Sequence, residues 1–199
     1  MKWIATVNSK GGVAKTTTAL TLARYLQLQD KSVVLVDDDR NRSLLKWEAR
    51  SEDPLFPVLS FEDMEQAQDY DYGILDTAAS LSDETVKDVC SFADLIIIPC
   101  KPDIDSLSGT TETADTVIEH DGNYAILLCD CPGASKRENK EIAEVIEDGE
   151  YILLSQTVRR SAGIKRASLA GKTLDQMTGA YRLAWHDYRK AFAEMMEFM

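Results

Sequence analysis

Six short apolar runs recur along the 199 residues, at 3–7, 33–36, 72–75, 95–98, 124–129 and 151–154, and none of them alternates with polar residues. Each is too short for a core helix, and the lack of alternation means that a strand made from it is buried on both faces. The intervening segments are long enough for crossover helices, predicted at roughly 15–29, 82–92, 106–120, 136–147 and 174–198. Doubly buried strands joined by helices predict an α/β fold: a doubly wound, mostly parallel sheet with helices on both faces. Ligands of such sheets gather beyond the C-terminal strand ends, where Asn8, Asp37, Asp76 and Pro99 fall.

Pro54 and Pro57 mark an irregular stretch, but there is no repeat, low-complexity tract or Gly/Ser linker, so residues 1–199 are expected to form a single domain. With 44% hydrophobic and 28% charged residues the chain is not of a disordered class, and a net charge of −12 leaves no global basic field for nucleic acid or anionic lipid. Cys90, Cys100, Cys129 and Cys131 form no CxxC pair and sit in or beside apolar runs. They are expected to be buried, reduced thiols rather than zinc ligands or an iron–sulfur site. The first apolar run meets Asn8 too early for a signal peptide, and no stretch reaches the length of a membrane span, so a cytoplasmic protein is expected. Leu174, Met177, Tyr181, Trp185, Tyr188, Phe192, Met195 and Met199 make a stripe at helical spacing near the C-terminus. Docking of that stripe on the domain is expected over adsorption to an anionic membrane, since Asp175, Asp187, Glu194 and Glu197 accompany it.

After the first run comes Asn8-Ser9-Lys10-Gly11-Gly12-Val13-Ala14-Lys15-Thr16-Thr17, followed directly by a helical pattern. A glycine-rich turn between strand and helix gathers backbone N–H groups on phosphate oxygens, and the helix N-terminus adds partial positive charge. Lys10 to Thr17 are therefore the candidate nucleotide-binding residues, with Lys15 reaching the β/γ-phosphates and the Thr16 hydroxyl placed for Mg2+. The general spacing G-x-x-x-x-G-K followed by Ser or Thr is not met, because Ser9 and Ala14 hold the two glycine positions. Asp37 and Asp76 end two strands beside this loop, where carboxylates hold the water shell of Mg2+.

Lys10-Gly11-Gly12-Val13-Ala14-Lys15-Thr16 resembles the deviant Walker A loop of the ParA/MinD ATPases. Residues 34–39 are similar to that family's switch D-x-D, residues 70–77 to its Walker B strand, and residues 93–99 and 167–173 continue the likeness. The resemblance implies a P-loop NTPase fold using ATP and Mg2+ and an ATP-sandwich homodimer. It also implies that Lys10 reaches the partner subunit's nucleotide and that Asp39 orients the attacking water. The chain departs from the family at Arg40-Asn41, at Thr77-Ala78-Ala79 and at Ala14, whose methyl is expected to weaken nucleotide binding without abolishing it.

Arg159, Arg160, Lys165, Arg166 and Lys172 lie between residues 155 and 174 with no acid among them, a local basic stretch in an acidic chain. The stretch resembles the DNA-binding region before the last helix of small plasmid-partition ATPases. That likeness implies sequence-independent DNA binding by the ATP dimer, a nucleoid location, and release of DNA when a centromere-binding adaptor of the ParB type stimulates a weak ATPase. Because the loop begins by residue 9, no preceding helix-turn-helix domain and no operator-specific repression are expected. Membrane-cycling or organelle positioning of the MinD sort is the alternative within the family.

Overall fold

The computed structural model describes every residue except Ser80, Ala134 and Ser135, and the side chain of Lys136. Among the described residues, one sheet holds β1 (Lys2–Thr6), β2 (Val33–Asp37), β3 (Val58–Ser60), β4 (Tyr72–Asp76), β5 (Leu95–Cys100) and β6 (Tyr124–Leu128). Their order is β3-β2-β4-β1-β5-β6 and every pairing is parallel. β2, β5 and β6 are buried along their whole length, and the central β1 and β4 over all but their first residues, as their unalternating sequences require.

Helices cover both faces. On one, α1 (Lys15–Gln27), α2 (Ser43–Glu48), α6 (Ala162–Leu169) and α7 (Leu183–Met195) enclose a core that includes Ile4, Leu22, Trp47 and Phe192. On the other, α3 (Asp83–Phe92), α4 (Ile104–Glu119) and α5 (Lys136–Asp148) pack on Val7, Leu75, Ile96 and Ile126. Local capping agrees with tertiary placement at α3 and α4, where Ser82 and Asp103 accept the N–H of Thr85 and Ser106.

Two predicted elements differ. Residues 151–154 run beside β6 but make only an isolated bridge, Ile126 to Leu153. Just beyond them, the N–H groups of Ser155 and Gln156 go to the Glu194 carboxylate instead of a ladder. The single helix expected over 174–198 is broken into 3-10 turns at Leu174–Gln176 and Gly179–Arg182, then α7, then a 3-10 turn at Met196–Phe198. Side chains three apart share a face in a 3-10 turn, so the apolar spacing of a helix persists through the break.

The apolar stripe of α7 is docked, as expected: Trp185, Tyr188, Phe192 and Met195 are buried. Tyr188 stacks on Phe192 at 5.4 Å, and its hydroxyl lies 3.2 Å from that of Thr18 in α1. Burial of each such side chain stabilises by roughly 1.5–3 kcal/mol, which leaves α7 no apolar face for a bilayer. Among the described residues no helix is long and apolar enough to cross a membrane.

Candidate functional site

The sheet register brings the functional strand ends together. Thr6 of β1 and Asp37 of β2 both lie opposite Asp76 of β4. Asp76 is completely buried; its two oxygens accept from the hydroxyls of Thr16 at 2.6 Å and Thr6 at 3.2 Å. Burial pushes its carboxyl up to about 7, against the pull of the Thr16 hydroxyl. Asp37 is buried as well and is likewise raised by burial, although the backbone N–H groups of Asp39, Leu44 and Leu45 donate to it.

Lys15 is 7% exposed, and its ammonium donates to the carbonyls of Asn8 at 2.8 Å and Lys10 at 3.0 Å, closing the loop on itself. Burial lowers its pKa, with Asp76 and Asp39 opposing. Lys10, in contrast, is exposed, with Gly11 and Gly12 beside it, while Val13 is buried and anchors the loop. Ala14 sits at the start of α1 with φ 84°, a left-handed conformation that L residues other than glycine rarely hold. Thr16 and Thr17, half-buried, open the helix.

Asn8 and Ser9 tie the loop to α4. The Asn8 amide donates to the Pro99 carbonyl and the Thr110 hydroxyl, the Ser9 N–H donates to Thr113, and the Ser9 hydroxyl donates to the Gly109 carbonyl. A Cβ on Gly109 would lie 3.1 Å from the Ser9 oxygen and 3.3 Å from the Lys10 Cβ, so glycine there permits the close approach. These partners lie about a hundred residues downstream, and only the placement of Asn8 at a strand end hinted at them. Ser9 thus has a use of its own at a position where glycine is usual.

The switch segment is laid across the same edge. Asp39 is half-buried, and one of its oxygens accepts from the N–H and the side-chain amide of Asn41. Asp37, Asp38, Asp39, Arg40 and the turn at Ala78-Ala79 line one cleft of about 900 Å³. Asp38 is raised by burial and by Asp37.

These residues fit a magnesium nucleotide. Two buried carboxylates end adjacent strands with Lys15 as a neighbouring cation, so a divalent ion relieves a real excess of negative charge. The Thr16 hydroxyl donates to Asp76 and so keeps its oxygen lone pairs for a metal. Cys100, Cys129 and Cys131 are buried as expected, and burial raises their thiols to about 11, 12 and 11, whereas Cys90, at the end of α3, is only half-buried.

The five cations of the basic stretch are not equivalent. Arg159 makes a two-toothed pair with Asp187 of α7, and Arg160 pairs the same way with Asp130 at 3.0 and 3.2 Å. Lys165, Arg166 and Lys172 are exposed and form no ion pair among the described residues, the Arg166 guanidinium lying 4.3 Å above the Tyr181 ring.

Residues 4–174 match the CobQ/CobB/MinD/ParA nucleotide-binding domain. The chain is 28% identical over 201 residues to the maintenance of carboxysome distribution protein A of Gloeobacter kilaueensis, covering 96% of this chain and 93% of that protein. It is 26% identical over 178 residues to the protein ParA of Rhizobium radiobacter, covering 81% and 80% of the two chains. In fold it is similar to a putative plasmid partition protein of Borrelia burgdorferi bound to AMPPNP, with a TM-score of 0.72, 17% identity, and 98% and 99% of the two chains covered. A match across most of the chain, on a parallel sheet whose first strand runs into a two-lysine phosphate loop, establishes that the chain belongs to the CobQ/CobB/MinD/ParA nucleotide-binding family.

Proposed function

We propose that the protein is a DNA-partition ATPase of the ParA kind: ATP drives a homodimer, the dimer holds DNA without sequence preference, and an adaptor-stimulated hydrolysis releases it. The observation that carries this reading is the opposite state of two lysines in one loop, Lys15 buried and pinned, Lys10 exposed. One serves the nucleotide of its own subunit; the other is free to serve a partner's. ParA kinship and the likeness to an AMPPNP-bound plasmid partition protein support it.

Mg2+, when bound, neutralises phosphate charge. Thr16, Asp37 and Asp76 are the residues that would hold it. Lys15 leaves the carbonyls of Asn8 and Lys10 for phosphate oxygens, while the backbone of Gly11 to Thr17 lines the phosphate chain. Asp39, one oxygen occupied by Asn41, keeps the other to orient water. The basic stretch supplies the DNA contacts, and the docked α7 argues against membrane cycling.

Co-sedimentation with two unrelated duplexes, with and without a slowly hydrolysed ATP analogue, tests the reading. Nucleotide-dependent binding to both is expected; binding to neither overturns it. Positioning of a protein body in place of a replicon is a second reading, favoured by the carboxysome-distribution relative that spans 96% of the chain. Deleting the gene separates the two: replicon loss supports partition, and a mispositioned protein body with a stably inherited replicon supports the second.

A further inference from the structure

The last helix turns a basic face to solvent. Arg182, just ahead of α7, and His186, Arg189 and Lys190 within it are exposed, while Trp185, Tyr188 and Phe192 are buried. At about 3.6 residues per turn the four exposed positions fall within one arc of about 100°, on the side away from the docked stripe. Between residues 155 and 193 the chain has two acids, Asp175 and Asp187, and each already holds an arginine, Arg24 and Arg159 respectively. Lys165, Arg166, Arg182, Arg189 and Lys190 are exposed and form no ion pair among the described residues, in a chain with twelve more acids than bases.

The cations of α6 adjoin those of α7. Gly163 begins α6 against the turn that leads into α7; a Cβ there would come within 2.0 Å of the Tyr181 carbonyl oxygen, so the close seating depends on glycine. The Arg166 guanidinium lies 4.3 Å above the Tyr181 ring, and Arg182 is the next residue along the chain. None of the five cations lines a cleft that also holds Thr16, Asp37 or Asp39. The docked stripe separates the α7 cations from α1, with Tyr188 against Thr18 and Phe192 against Tyr25. A bound nucleotide therefore leaves this face open.

We infer that the outer stripe of α7, continued by Lys165 and Arg166 of α6, takes the phosphodiester backbone of duplex DNA. The inference rests on the DNA-binding reading above and extends it into the last helix, with the carboxylate-bound Arg159 and Arg160 secondary. A phosphate at Arg159 must compete with a carboxylate already on both guanidinium teeth, whereas the cations of α7 have no such competitor. From Arg182 to Lys190 the helix runs about 12 Å, enough to follow several phosphates of a strand that carries one charge per about 3.4 Å of axis. Contacts to phosphates carry no sequence information, which suits a dimer that holds any duplex. A bilayer is the poorer match: an interfacial helix buries an apolar face in lipid, and Leu183 is the only large apolar side chain that α7 exposes.

The test is the salt dependence of duplex binding by the full chain with a slowly hydrolysed ATP analogue, comparing wild type with Arg189→Ala/Lys190→Ala. Losing two phosphate contacts per subunit should flatten the log–log salt slope by about 1.8 per subunit, or about 3.6 per dimer, and Arg189→Lys/Lys190→Arg should restore it. Lys140→Ala, which removes a cation paired with Glu144 on α5, should leave the slope as it is. Acetylation footprinting of the wild-type protein gives a readout independent of variant folding: duplex should protect Lys165 and Lys190 when nucleotide is present. An unchanged slope in the double variant, an equal flattening by Lys140→Ala, or equal labelling with and without duplex overturns this face while leaving the DNA reading intact. So does a double variant that no longer dimerises with nucleotide, which would give the face to a second copy of the chain. If wild type with nucleotide ignores both duplexes and sediments with phosphatidylglycerol vesicles, the face and the DNA reading fail together.

Discussion

Arg159 grips Asp187 through Nε at 2.5 Å and Nη2 at 2.8 Å, and its backbone N–H adds a third bond to the same carboxylate at 3.1 Å. The acid is nearly buried and the guanidinium about half exposed, so the pair is a clasp between the chain after β6 and α7. Arg159→Ala would strand a buried carboxylate. It should cost about 1–2 kcal/mol, less than a fully buried pair because water reaches the arginine. Chemical denaturation checks this, and an unchanged stability would show that the clasp is idle.

Ala14 carries φ 84° at the mouth of the phosphate loop. Holding an alanine in left-handed space costs about 1–2 kcal/mol, and glycine's freer unfolded chain returns about 0.4–1 kcal/mol of that. Ala14→Gly should therefore stabilise by up to about 1.6 kcal/mol, each kcal/mol raising Tm by about 2–4 °C at this chain length. It should also tighten ATP binding by removing a methyl beside the phosphates. A lower Tm in the variant would count against strain at this residue.

Asp37 is asked both to start α2 and to serve the metal. Its carboxyl is raised by burial, so its ionised form at neutral pH destabilises the nucleotide-free fold, while its oxygens cap Leu44 and Leu45. Asp37→Asn sheds the charge and keeps one acceptor oxygen for Leu44 and Leu45 but turns an amide donor to the Asp39 N–H, so without nucleotide its stability should stay within about 1 kcal/mol of wild type. Asp37→Ala loses the cap and should cost about 1 kcal/mol. Magnesium nucleotide should raise the Tm of wild type more than that of either variant; equal increments would remove Asp37 from the metal site.

Lys10 and Asp39 should separate assembly from chemistry. Lys10 is exposed on its loop, so Lys10→Ala should leave stability within about 0.5 kcal/mol of wild type yet abolish nucleotide-driven dimerisation. Asp39→Ala should dimerise and hold DNA but fail to hydrolyse ATP. Sedimentation velocity and phosphate release read the two; a dimeric Lys10 variant, or wild-type turnover without Asp39, removes the corresponding role.

Local pattern was enough for β1, β2, β4, β5, β6 and the phosphate loop, because each is contiguous, but not for β3, three residues within the stretch read as irregular after Pro54 and Pro57, which is a strand only through its pairing with β2. An unalternating run between turns has few other uses, and Lys10 to Thr17 need only follow a strand and open a helix. The carboxylates at 37 and 76 were legible for the same reason, since strand ends of a parallel sheet face one edge. What sequence could not reveal depends on partners far along the chain. The start of α2 is capped by a strand-end side chain, and its six residues show too little periodicity to stand alone. The 3-10 breaks before α7 keep an apolar spacing that a continuous helix would share. Arg159 and Arg160 read as free cations until the fold delivers Asp187 and Asp130 to them. Charge along a sequence counts ions, but it is long-range packing that determines which of them remain unpaired.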